Sequence, residues 1–234
     1  KTNPDYEVHF LTPDTVKNFC NIDFGRFPKA TPQQKADLLR FELIYQYGGI
    51  WLDASIIVYE SLDWIQDLVK KTQTNSFAYY RAKNTTLKAS PVLENWLLAS
   101  TEKNPFFKYW FDELVTAIEL SPKAYLQKLK ETEPDCQDLF QHIGRLEYLV
   151  AYVACQKVMR NHLPSMCLIN CDKNALYFQV KHQWIKEKVL IDMAIHHSPT
   201  EMPKLIKLAG KERKTLRHYY KKGMYLEGSL LDFS

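Results

Sequence analysis

Asp37, Arg40 and Asp53 are the side chains whose types and spacing could do chemistry, because they lie along one helix, turn and strand between Thr31 and Tyr59. Thr31 and Gln34 form a capping-box pattern and Pro32 suits the first helical position, so a helix is predicted to start there. Leu38, Leu39, Phe41, Leu43, Ile44 and Tyr45 make it apolar nearly all round, and a helix of that kind is buried. Asp37 and Arg40 at i, i+3 share one face of it, and a buried charge needs a partner or a purpose. Gly48-Gly49 ends the helix, since glycine accepts the left-handed conformation required there. Ile50 to Tyr59 then reads as an interior strand interrupted by Asp53. An aspartate at that point can hold a metal or a substrate where a strand opens into a crevice. The alternative is an internal ion-pair network that only fixes packing.

Read together, Asp37-Xaa-Xaa-Arg40, the helical apolar run, Gly48-Gly49 and the tripeptide Asp53-Ala54-Ser55 resemble the sugar-binding region of the GT-A glycosyltransferases. The chain is most similar to family 32 and its capsular-polysaccharide-synthesis relatives, with the glucosylating toxins as more distant kin. The match covers about 30 residues, and weaker similarity continues from Ser90 to Leu114. The resemblance implies a Rossmann-like α/β fold with a mixed sheet and many additional helices. It also implies that Asp37 and Arg40, with Gly49 beside them, hold hydroxyls of a donor sugar. Asp53 corresponds to the first Asp of an Asp-Xaa-Asp tripeptide, which contacts donor and metal, so Arg40 and Asp53 stand as the catalytic candidates. The third position, usually Asp, is Ser55 here, and Asp-Ala-Ser is often found in the capsular branch. His196-His197 resembles a late histidine-containing loop that approaches the diphosphate and the metal. The implied metal set is therefore Asp53, Ser55 and His197, holding Mn²⁺ or Mg²⁺, and His196 and His197 are implied diphosphate contacts. A structural role is the alternative for both histidines. The first residues resemble the family's second strand, so the expectation is one domain over 1–234 lacking its first nucleotide-binding strand.

Composition fits an enzyme of this kind. With 234 residues and 46% hydrophobic content the chain can bury a sizeable core. Its 14 Tyr and 5 Trp suit stacking on bases and sugar rings as well as packing. No apolar run is long enough to span a bilayer and no signal peptide is visible, so a cytoplasmic setting is expected. Cys20, Cys136, Cys155, Cys167 and Cys171 lack paired zinc-type spacing and read as reduced thiols. From 201 to 222, eight Lys or Arg stand against two Glu, whereas the whole chain has a net charge of only +4. This stretch reads as a solvated helix face or as a contact with anionic membrane at a lipid-linked acceptor. Nothing resembles a nucleic-acid motif.

Elsewhere, Ser90-Pro91, Asn104-Pro105 and Ser121-Pro122 are predicted helix starts, and Asp135 to Leu163 is predicted as one long amphipathic segment. Glu7–Leu11, Ser76–Tyr80 and Leu176–Val180 are predicted strands, and a further strand is expected before His196. The function implied is transfer of a sugar from a nucleotide-diphosphate donor to a glycan or lipid-linked acceptor hydroxyl, with retention and with a metal. A non-catalytic nucleotide-sugar or glycan-binding module, and a scaffold using its basic tail, are the competing classes.

Overall fold

The computed structural model describes residues 2–195 and 203–232. Along the chain run α1 (Pro32–Tyr47), β1 (Gly49–Leu52), β2 (Ile56–Val58), α2 (Asp63–Lys71), β3 (Ser76–Tyr80), β4 (Leu93–Ser100), α3 (Pro105–Glu119) and α4 (Pro122–Thr132). They are followed by α5 (Cys136–Phe140), α6 (Val150–Met159), β5 (Met166–Asn170), α7 (Tyr177–Lys181), α8 (Lys186–Ile195), β6 (Leu205–Lys207) and α9 (Gly210–Lys221). The expected α/β class, with helices in excess, holds. These elements gather into two compact units.

The larger unit comprises Pro4–Leu52 and Leu62–Ile169. Its sheet has the order β1-β4-β3-β5, with β4 antiparallel to both β1 and β3. Leu93 to Ala99 are all buried, as in a central strand covered on both faces. That burial explains why Ser90-Pro91 opens a strand and not the predicted helix. A short apolar run bounded by a turn fits either element, and pairing with two neighbours decides it. The core joins α1, α3 and α6. Phe41 stacks on Trp110 with ring centroids 4.1 Å apart, and Trp110 Nε1 donates to Ala151 O at 2.7 Å.

Helix α1 starts as its sequence dictates. Thr31 Oγ1 accepts from Gln34 N at 3.2 Å, and Gln34 Oε1 accepts from Thr31 N at 2.8 Å. It ends at Gly48, whose φ of +66° and ψ of −141° belong to a region open only to glycine. A Cβ there would lie 2.6 Å from Glu102 N and 2.7 Å from Ser100 O.

The predicted strand over Ile50–Tyr59 is two short strands in different sheets. β1 is an edge strand, not an interior one, and Asp53 stands in the turn that separates it from β2, where Ile56 N donates to Asp53 O at 3.1 Å. Aspartate followed by small residues favours such a turn. Asn104 and Ser121 cap α3 and α4 as predicted. The segment Asp135–Leu163 is broken into α5 and α6, because Gln141 leaves the helix at φ +41°. Its side chain accepts from Thr86 N at 2.7 Å and Leu87 N at 3.0 Å, contacts that a continuous helix would forfeit. Ser76–Tyr80 is β3 as predicted. Glu7–Leu11 is not a strand, and Val8 and Phe10 are exposed.

The smaller unit is built from Asp53–Ser61 and the described part of Asn170–Ser234, with Thr2 and Asn3. Its β2 and β6 pair antiparallel, with Ile56 opposite Lys207 and Val58 opposite Leu205. Val189, Met193, Ile206, Leu208, Leu230 and Leu231 form its core. Leu176–Val180 lies mostly in α7, and α8 takes the place of the strand expected before His196. Both are helices that bury one face, including Phe178 on α7 and Val189 with Met193 on α8, so helical spacing wins over a short apolar run.

Candidate functional site

In the larger unit the structure brings Asp37 and Arg40 together. They are 3% and 5% exposed, and Arg40 Nη1 donates to Asp37 Oδ1. Asn95, on β4, donates from Nδ2 to the same oxygen at 3.0 Å. The Arg40 guanidinium lies over the Trp51 ring, 5.3 Å from its centroid, a cation–π contact favoured by low polarity. Next to Asn95 on β4, Glu94 accepts through Oε2 from Tyr152 O–H at 2.7 Å and from Trp96 Nε1 at 2.7 Å. Tyr152 also reaches Asn95 Oδ1 at 3.3 Å, which joins the two groups into one network. Burial pushes the Tyr152 phenol well above its ordinary pKa, and Glu94 and Asp37 push it further while Arg40 opposes them. Tyr152 is therefore a neutral donor at physiological pH.

Helix geometry sets this arrangement. Leu38, Phe41 and Ile44 fill the core, while Gln34, Asp37 and Arg40 make a second buried stripe on the same helix. Fork-shaped guanidinium donors and a carboxylate fixed by an amide form a surface for pairing with hydroxyls. The sequence did not single out Glu94, Asn95, Trp51 or Tyr152. Polar Glu94-Asn95 inside the run PVLENWLLAS was the available signal, since buried polar residues in an apolar strand need partners.

In the smaller unit the structure brings Asp53 and Ser55 together around a third residue, Lys207. Lys207 Nζ donates to Asp53 Oδ2 at 2.9 Å and to Ser55 Oγ. The lysine is fixed at its backbone: its N–H donates to Ala175 O at 2.9 Å, and its carbonyl accepts from Gln179 Nε2 at 2.7 Å. Leu208 N donates to Ser55 O at 2.8 Å. Lys207 was legible only as one of the basic residues from 201 to 222. Lys204 is paired with Glu60, so the basic stretch is not one uniform face.

Gly49 opens β1 with φ +76°, and a Cβ on it would meet no described atom within 4 Å. His196 and His197 lie outside the described residues. For the implied Mn²⁺ or Mg²⁺, Asp53 and Ser55 offer one carboxylate and one hydroxyl, both accepting from Lys207. No group of three or more His, Cys, Asp or Glu that could hold a metal occurs among the described residues. The Lys207 ammonium already sits on both oxygens, and a divalent cation placed there would stand against that positive charge, so these described donors do not fit it.

Fold and site define an α/β protein in which one helix buries a carboxylate–guanidinium pair and the turn after its strand sets a carboxylate against an ammonium. Residues 1–123 match the family described as capsular polysaccharide synthesis protein, and the chain belongs to that family. That span contains Asp37, Arg40, Gly49, Asp53 and Ser55, and ends before Lys207. The chain is also similar to the O-glycosyltransferase braB of Annulohypoxylon truncatum, at 25% identity over 128 residues, covering 48% of this chain and 30% of the relative. A second relative is the glycosyltransferase afumC of Aspergillus fumigatus, at 28% identity over 80 residues, covering 34% and 20%. The chain thus spans less than a third of the length of either curated relative. No solved structure matches it significantly.

Proposed function

We propose that this chain carries the donor-sugar site of a GT-A-type glycosyltransferase, moving a sugar from a nucleotide-diphosphate donor to a glycan or lipid-linked acceptor hydroxyl. The observation that carries this reading is the Asp37–Arg40 pair, which stands on the helix that leads through the diglycine into the Asp-Ala-Ser turn and is held by Asn95 of β4. The names of the two relatives point the same way. In the proposed reaction the bond from the anomeric carbon to the diphosphate oxygen breaks, and a bond to the acceptor oxygen forms on the same face of the sugar. The acceptor proton ends on the leaving diphosphate, so no side chain needs to act as a general base. Asp37 and Arg40 select the sugar, because a site built to bond particular hydroxyls penalises donors that lack them. Asp53 orients positive charge toward the diphosphate.

Polysaccharide synthesis at a cytoplasmic membrane face, reached through the basic stretch 201–222, is the proposed setting. Among the described residues no helix is long and apolar enough to cross a membrane. Ser55 at the third tripeptide position favours one second reading, a nucleotide-sugar or glycan-binding module without turnover. A panel of uridine- and guanosine-diphosphate sugars separates the two. Release of nucleoside diphosphate supports the transferase, thermal stabilisation without release supports the binder, and neither outcome refutes both.

A further inference from the structure

We infer that Lys207 is the resident cation of the diphosphate site, the charge that the Asp-Ala-Ser turn holds against the leaving group; this rests on the donor-sugar reading above. Lys207 Nζ stands between Asp53 Oδ2 and Ser55 Oγ, the first and third residues of the tripeptide. Those are the two tripeptide positions that the resemblance would assign to a metal. A hydroxyl in place of the second carboxylate removes one negative charge. What remains matches a single ammonium: one carboxylate for its charge and one hydroxyl for a second hydrogen bond.

The lysine is built into the fold. Its backbone N–H and carbonyl are both spent, on Ala175 O and on Gln179 Nε2, and its strand pairs with β2 across from Ile56. Gln179 is fully buried and also donates to Glu212 Oε2 at 2.9 Å, so the group that fixes the lysine is itself fixed. The ammonium is therefore preorganised, and a charge held in place before the reaction costs no reorganisation when negative charge develops. The pair is not sealed: the Lys207 and Asp53 side chains are 16% and 27% exposed. A phosphate oxygen can approach Nζ, whose donors rotate, while Asp53 keeps the ammonium aimed. In the transfer step Nζ donates a hydrogen bond to the diphosphate as its charge grows, and no proton or electron pair leaves the lysine.

Inorganic pyrophosphate is the probe, since it needs neither base nor sugar contacts. Calorimetric titration in EDTA should show binding to the wild type, at least tenfold weakening in Lys207→Met, and a smaller loss in Lys207→Arg, which keeps the charge. Titration with Mn²⁺ alone should show no uptake at this site. Pyrophosphate binding that vanishes in EDTA and returns with Mn²⁺, or equal binding to the wild type and a folded Lys207→Met, overturns the inference. If Lys207→Met does not fold, the wild-type comparison with EDTA and Mn²⁺ and the Lys207→Arg value still decide it. The donor reading fails separately: Lys207-dependent pyrophosphate binding with no nucleotide sugar turned over leaves the cation standing, and Mn²⁺-dependent turnover does the reverse.

Discussion

Replacing the two glycines of the motif one at a time separates the residue the fold needs from the residue left for a ligand. Gly48→Ala meets two penalties. At φ +66° an L-residue costs about 1–2 kcal/mol. Its methyl would also sit 2.6 Å from Glu102 N and 2.7 Å from Ser100 O, both backbone atoms, and overpacking against groups that cannot rotate away costs about 1–3 kcal/mol. The sum, about 2–5 kcal/mol, is a large share of the roughly 5–15 kcal/mol that holds a domain together. Gly49→Ala carries the backbone penalty alone, since its methyl meets no described atom within 4 Å. At about 2–4 °C per kcal/mol for a chain of this length, thermal denaturation should fall by about 4–20 °C for Gly48→Ala and by about 2–8 °C for Gly49→Ala. Turnover should respond in the opposite order: a folded Gly49→Ala should lose donor hydrolysis if its backbone approaches the sugar. Equal shifts in melting temperature would refute the steric argument, and full activity in Gly49→Ala would remove Gly49 from the donor site.

Arg40→Lys should impair sugar transfer while changing the affinity for the bare nucleoside diphosphate much less, because a point charge cannot reproduce the guanidinium fork on Asp37; equal losses for both ligands in calorimetry would make Arg40 a phosphate contact or a structural pair. Glu133 is held below the usual carboxylate pKa first by its hydrogen bond from Lys157 and then by the charges of Lys157 and Arg160, offset in part by burial. A depressed pKa adds stability above the unfolded value, about 4.3, and loses it as the pH falls through the lowered value. The melting-temperature gap between wild type and Glu133→Gln should therefore be open at pH 7 and narrow as the pH falls through the lowered value. On the basic helix, replacing exposed Arg213, Lys214, Arg217 and Lys221 with Gln should weaken sedimentation with anionic vesicles at low salt and leave hydrolysis of a soluble donor unchanged.

Where local rules decide, the sequence was enough. The Thr31–Gln34 box, Pro32 and Gly48 mark both ends of α1 without any tertiary contact, and the spacing of Asp37 and Arg40 gave their pairing. Asn104-Pro105 and Ser121-Pro122 were equally readable as helix starts. Short apolar runs were not. Leu93–Ser100 and Leu176–Val180 are apolar runs too short to separate a buried strand from a helix by themselves; pairing with β1 and β3 settled the first, and burial of one face of α7 settled the second. Asp53 meets its partner Lys207 154 residues away, and the break at Gln141 depended on Thr86 and Leu87, 55 and 54 residues away. The polar partners of the site share that cause. Asn95 is 58 residues from Asp37, and no local pattern pairs them.

Release of nucleoside diphosphate from uridine- and guanosine-diphosphate sugars, compared between wild type and Asp53→Asn, tests the central claim most directly. The wild type should release nucleoside diphosphate from at least one donor, and release should be lower by about 10²–10³ in a folded Asp53→Asn, the scale of losing one preorganised electrostatic contact. Equal release by both proteins, or no release from any donor, would contradict the claim.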